Sequence, residues 1–238
     1  MNSLADALHQ VEDALRETVG MAFRSGELRR LDDDSVLSLM AQAASTVRQA
    51  QAVLVATVAE VQDRDETSLQ AASPTTRYGC RSMRELVQRT THASGRTVAD
   101  VLRAARAIKE HVSTTGEVLS AKYPAMREAA ADGAIGLDAL VAVVAALDTT
   151  TCGHAALSAA DTELAASARG SGEGGGPNPS ADDLKLQAQV WAMYLDQDGA
   201  EPRETRALRK RGFTMGVCSD GLVPFRGNAL PEVASQFR

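Results

Sequence analysis

Aromatic residues are scarce in this 238-residue chain, at 3%, with a single tryptophan. A core drawn instead from alanine, valine and leucine suits closely packed helices better than a β-sandwich. Cysteines are few, odd in number and far apart (Cys80, Cys152, Cys218). No CxxC pair exists, so a disulfide framework is not expected and a reducing cytoplasm fits. Long apolar runs are also lacking: the longest uncharged one, residues 139–147, is far too short to span a bilayer. The N-terminus carries Asp6, Glu12 and Asp13 and has no apolar run, unlike a signal peptide. The expected location is cytoplasmic, with no membrane partner. Nor is there an excess of positive charge. The net −6 weighs against general attraction to nucleic acid or anionic lipid. The length allows one large domain or two small ones, enough for a substantial core.

Catalytic signatures are absent too. There is no Gly-x-Ser-x-Gly elbow, no His-Glu-x-x-His and no paired-carboxylate motif. The four histidines (His9, His92, His111, His154) are scattered, and Cys152-x-His154 is the only close Cys/His pair, two ligands short of a zinc site. Residues 170–180 (GSGEGGGPNPS) invite a phosphate-loop reading, but no Gly-Lys-Ser/Thr follows and no strand precedes them. They read as a flexible linker. No catalytic residue, metal or cofactor is expected.

What is present is helical periodicity. Leu4, Leu8, Val11 and Leu15 form one apolar stripe before Gly20, Ser25 and Gly26 interrupt it. Asp32-Asp33-Asp34 places a cap and acidic charge ahead of a long helix. That helix carries Val36, Met40, Ala43, Val47, Ala50, Leu54 and Val61 in a near-heptad. The pattern fits either a dimeric coiled coil or a helix within a bundle. Residues 63–74 are polar and end it. Ser82 and Glu85 form an S-x-x-E capping box that opens a short helix to about Thr90. Residues 92–95 read as a turn, and a further helix is expected over 96–112, burying Val98, Val101, Leu102, Ala105 and Ile108. Pro124 can start a helix and Gly133 can stop one. Residues 137–147 are the best candidate for a central buried helix. Residues 155–169 make another, and Ser180 with Asp183 caps one carrying Leu184, Leu186, Val190, Trp191 and Leu195. Residues 196–199 turn the chain. The only clear β signal is a hairpin from 213–218 and 222–226 around Ser219-Asp220-Gly221, which is marginal alone. No internal repeat is present.

One segment departs from the overall acidity. Residues 77–109 hold eight basic and two acidic side chains, a local +6 that leaves −12 for the remainder. The same segment has the outline of a helix-turn-helix, spanning 82–112. In such a motif the start of the second helix faces the major groove while flanking basic groups neutralise phosphates. The candidate DNA-binding residues are Ser94, Arg96 and Thr97 at that start, with Arg81, Arg84, Arg89, Arg103 and Arg106 around them. The alternative is a solvated basic face, or one paired with acidic helices. A second basic cluster, Arg203, Arg206, Arg209, Lys210 and Arg211, is offset by Glu201 and Glu204 and reads as a surface helix.

The order of motifs resembles a known family. Gly79-Cys-Arg-Ser-Met-Arg-Glu-Leu-Val-Gln-Arg-Thr is similar to the G-x-x-S-x-x-x-L-x-x-R-T opening of the actinobacterial domain of unknown function 222, or 13E12 repeat family. The helix with Ala99, Arg103, Ala104 and Ala107 matches its pattern, as does Ala125-Met-Arg-Glu-Ala-Ala-Ala-Asp-Gly-Ala-Ile. The clearest likeness is C-terminal: Leu195-Asp-Gln-Asp-Gly-Ala-Glu-Pro-Arg-Glu, Arg211-Gly-Phe-Thr-Met, Asp220-Gly-Leu-Val and Arg226-Gly-Asn-Ala-Leu-Pro-Glu. It covers about residues 32–232. Asn228 departs from the usual arginine, and the glycine-rich linker is longer than usual. Members of the family continue into a C-terminal HNH nuclease motif that acts with a divalent metal on a phosphodiester. No HNH residue is present to carry over, so the resemblance implies a truncated member or a free-standing accessory form.

The expected fold is mainly α: a helical bundle (1–169) with a helix-turn-helix-like pair, a linker (170–180), and a helix plus an incomplete hairpin (181–238). The expected function is a non-catalytic DNA-associated module resembling the N-terminal part of HNH-endonuclease-like proteins. The alternative is a structural module that self-associates with no nucleic-acid role. The partners are accordingly double-stranded DNA, or a second copy through helix 36–61.

Overall fold

The computed structural model describes residues 3–69, 72–112, 116–170, 178–196, 211–218 and 221–229, with the single positions 208, 233 and 235. The chain is mainly helical. Its elements run α1 (Leu4–Arg24), a 3-10 turn (Glu27–Arg30), α2 (Asp33–Thr67), α3 (Pro74–Arg77), α4 (Met83–Thr91), α5 (Gly95–Ile108), β1 (His111–Val112), β2 (Val118–Leu119), α6 (Pro124–Ala131), α7 (Leu137–Leu147), α8 (His154–Ala168), α9 (Ala181–Leu195), β3 (Gly212–Met215) and β4 (Phe225–Asn228). No helix among the described residues is long and apolar enough to cross a membrane. The chain divides into two compact units, Met1–Val141 and Ala142–Arg238.

Side-chain caps fix most helix starts. Ser3 Oγ accepts the Asp6 N–H at 3.1 Å while the Asp6 carboxylate accepts the Ser3 N–H at 3.0 Å. These bonds hold the Asp6 carboxyl below its ordinary pKa. Asp32 accepts the Ser35 N–H at 2.7 Å, which lowers its pKa likewise. Ser82 caps α4, but Glu85 reaches back to the Arg81 N–H, one residue beyond a reciprocal box. Pro124 opens α6 at a position where the missing N–H has no intrahelical partner to lose.

Several helix boundaries differ from expectation, and α2 is one, running on to Thr67 through polar residues expected to end it. α1 continues through Gly20 and ends at Ser25, because the left-handed backbone that stops it is supplied by Gly26 (φ 67°). A glycine inside a helix costs only about 1 kcal/mol relative to alanine. α5 ends at Ile108, four residues early. Lys109 leaves the helical conformation, and the chain passes into β1, which pairs antiparallel with β2. α3 was not foreseen. Ser73 caps it, and the Thr75 N–H and hydroxyl both donate to Asp65 at 2.9 and 2.7 Å.

The core of the first unit is built on α5. Val98, Val101, Leu102, Ala104, Ala105, Ala107 and Ile108 are all buried, one more face than the expected stripe. α2, α4 and α6 pack around it. α2 contributes only Val55, Val58, Ala59 and Gln62. Its near-heptad does not form the buried stripe: Val36, Met40 and Val47 are 39, 63 and 55% exposed. Two hydrogen bonds anchor the middle of α2: Arg48 Nε donates to the Gly133 carbonyl at 2.7 Å, and Gln51 Oε1 accepts the Leu137 N–H at 2.9 Å. α7 crosses from the first unit into the second, and its apolar residues are buried as expected: Ala139 and Leu140 before the boundary, Val143, Val144 and Leu147 after it.

In the second unit α8 packs on α9, burying Ala160, Leu164, Ala165 and Ala168 from one and Leu184, Ala188 and Ala192 from the other. Of the apolar residues that α9 carries, Leu186 and Val190 are exposed. β3 pairs antiparallel with β4, Phe213 opposite Gly227, and every residue of β3 is exposed. The linker at 171–177, most of the turn at 196–199, Ser219-Asp220, and Arg203, Arg206, Arg209 and Lys210 of the second basic cluster lie outside the described residues.

Candidate nucleic-acid interface

The expected pair is α4 and α5, joined by His92, Ala93 and Ser94. His92 caps α4 in the left-handed region (φ 54°), the one non-glycine position with positive φ among the described residues. Ser94 has extended backbone and starts α5 by accepting the Thr97 N–H at 3.2 Å. The Ser94 and Thr97 hydroxyls also lie 3.0 Å apart. Both are therefore engaged in the cap.

Because seven residues of α5 face inward, little of the helix is left for solvent. Its exposed residues are Arg96, Thr97, Arg103 and Arg106. The spacing 96, 103, 106, with the small Ala99 between, is one helical stripe about 15 Å long. No carboxylate lies within ion-pair distance of Arg96, Arg103 or Arg106 among the described residues. On α4 and just before it, Arg81, Arg84 and Arg89 are exposed. Arg84 Nη1 donates a long bond, 3.5 Å, to the Gly95 carbonyl, tying the two helices' charged faces together. Arg89 differs: its Nη2 pairs with Glu85 Oε1 at 2.6 Å. The structure thus brings the eight sequence-selected residues onto one helix pair, three of them as an unpaired arginine stripe. Enclosure of α5 by three helices leaves an edge that can lie along a phosphate backbone rather than a free helix to enter a groove.

Lys109, counted in the basic segment, does not belong to this face. It is 4% exposed, and its Nζ meets Glu66 Oε2 at 2.6 Å and Asp63 Oδ1 at 3.1 Å. Burial works against its charge, but the hydrogen bonds and charges of Glu66 and Asp63 prevail and raise its pKa above the ordinary lysine value. The sequence signal was available in retrospect: a lysine ending an apolar run, with acids at the end of the preceding long helix. Beside it lies an open cleft of about 400 Å³ with an alanine floor (Ala52, Ala56, Ala59). Its basic groups are already committed, since Arg127 pairs with Glu110 at 3.3 Å and donates to the Ile108 carbonyl at 3.0 Å. Among the described residues no group of three or more His, Cys, Asp or Glu is placed to hold a metal.

These features define a mainly helical protein organised around a helix–turn–helix-like pair with an arginine-lined outer edge. The chain belongs to the family Domain of unknown function (DUF222), whose model matches residues 37–238. α1 precedes the matched segment. No curated protein and no solved structure matches the chain.

Proposed function

We propose that the chain is a non-catalytic, cytoplasmic DNA-associated module that grips the phosphate backbone of duplex DNA through the outer edge of α4 and α5. The observation that carries this reading is the solvent-facing stripe of α5, where Arg96, Arg103 and Arg106 stand without a carboxylate partner among the described residues. In a chain of net charge −6, unpaired like charges on one stripe repel one another and are stabilised by an anion laid across them. Arg84 and Arg81 extend the same edge. Ser94 and Thr97 serve the helix cap, so backbone contact dominates and base readout is minor. The resemblance read from the sequence motifs, to a family whose members continue into an HNH nuclease motif, favours a DNA partner, with this module positioning the duplex.

Engagement of about four phosphates gives a slope near −3.6 in log affinity against log salt, hence roughly a 100-fold loss between about 50 and 200 mM. Fluorescence anisotropy with a labelled duplex reads this directly. Replacing Arg96, Arg103 and Arg106 together by glutamine should reduce the slope by about 2.7. Absence of binding at the lower salt rejects the proposal. Self-association through helix 36–61 is a second reading, favoured by the exposure of Val36, Met40 and Val47.

A further inference from the structure

Two apolar surfaces at the N-terminal end of the first unit are uncovered and leave one another uncovered. α1 buries none of its 21 residues, yet Leu4, Leu8, Val11, Leu15 and Val19 form a continuous stripe, each 45–80% exposed. Helices in proteins draw most of their stability from packing an amphipathic face rather than from propensity, and α1 packs none of its own. On α2, every residue from 36 to 44 is exposed, and residues 35–47 contain no charged side chain at all. A helix more than three turns long with no charge on any side is the mark of a covered one. The hydrogen bonds of Arg48 and Gln51 anchor α2 just below this stretch, so it projects about 20 Å from the core as a stiff rod.

We propose that a second copy of this chain covers both surfaces: α1 of each protomer lies along residues 35–47 of its partner's α2, a two-fold exchange that builds a four-helix bundle. A narrow amphipathic stripe and a broad uncharged receptor on one chain are the two halves of an isologous contact, and one two-fold axis buries both at once. The extent suffices. The 21 residues of α1 together with residues 35–47 of α2 exceed the roughly 20–30 residues a side of a stable interface. A lipid surface suits α1 less well, because its polar side carries Asp6, Glu12, Asp13 and Glu17 where a membrane-seeking helix carries lysine and arginine. The inference extends the self-association reading, and it does not depend on DNA contact, which involves α4 and α5.

Sedimentation equilibrium of the full chain between about 1 and 100 μM should show a reversible species of twice the 25.1 kDa chain mass. Leu8→Glu with Leu15→Glu in α1, and separately Met40→Glu in α2, should each weaken it at least about tenfold, since they lie on opposite sides of the exchange. In the unmodified chain, α1 amides should gain hydrogen-exchange protection as concentration rises, a reading that needs no variant. A strict monomer at the upper concentration, a dimer indifferent to either substitution, or α1 protection independent of concentration overturns the proposal. So does a monomer that co-sediments with phosphatidylcholine–phosphatidylserine vesicles, which assigns the surface to lipid. Loss of DNA binding in the α5 variants with the dimer intact, or the converse, separates the two proposals.

Discussion

α2 is one unbroken helix of 35 residues that lives in two environments. Its second half supplies Val55, Val58, Ala59 and Gln62 to the core, and its end is pinned by Asp63 and Glu66 to Lys109. Its first half buries nothing. The same contrast separates α5, with seven buried residues, from α1, with none, although both are amphipathic and both are capped by serine. Caps and propensity decide that a helix forms at these places. Whether its apolar face is used within the chain depends on what else the chain brings to it, and α4 and α6 reach α5 whereas no helix covers α1.

The comparison breaks most sharply in the core. Val98→Asp places a carboxylate at a fully buried position and should abolish the cooperative thermal transition, a cost above about 4 kcal/mol. Circular dichroism during heating checks it, and a retained transition would mean that α5 is not the central element. Lys109→Met should cost less, about 2 kcal/mol, because the carboxylates it leaves behind are only partly buried. The pH dependence of the urea midpoint sharpens this case. The Lys109 pKa is raised on folding, so its contribution is complete below about pH 10.4 and is lost as pH rises through the higher folded value. Asp65 behaves oppositely. Burial opposes its charge, but the bonds from Thr75 and Ser73 lower its pKa, so its contribution holds above about pH 4 and fades as pH falls through the folded value. Lys109→Met should remove the alkaline loss and leave the acid one. Next comes Ser94→Ala, which removes the cap of α5 for about 1 kcal/mol, read as a small drop in the same midpoint. Leu37→Ala on the exposed half of α2 should shift it by less than about 0.5 kcal/mol in dilute solution.

Much of this was legible in the residues. Asp32, Ser82, Ser180 and Pro124 all mark helix starts, because a cap is a local event settled within four residues. The eight candidate residues do share one helix pair for the same reason. The use of each apolar stripe was not legible. The near-heptad of α2 and the apolar positions of α9 have helical period, yet periodicity is blind to whether a partner arrives. The end of α5 at Ile108 was not legible from periodicity, and Lys109 just beyond it pairs with acids 43 and 46 residues earlier in the chain. A long-range ion pair leaves no periodic trace.

His92 has a consequence for how the arginines are presented. Its left-handed backbone ends α4 at a position occupied by a side-chain-bearing residue, and a glycine there would open a wider range of φ and ψ to the turn. The histidine keeps the bend stiff. Arg81 and Arg84 on one arm and Arg96, Arg103 and Arg106 on the other are thereby held at a separation that the main chain sets. Under the proposed DNA contact, that fixed spacing is what the charges of a bound polyanion would have to match.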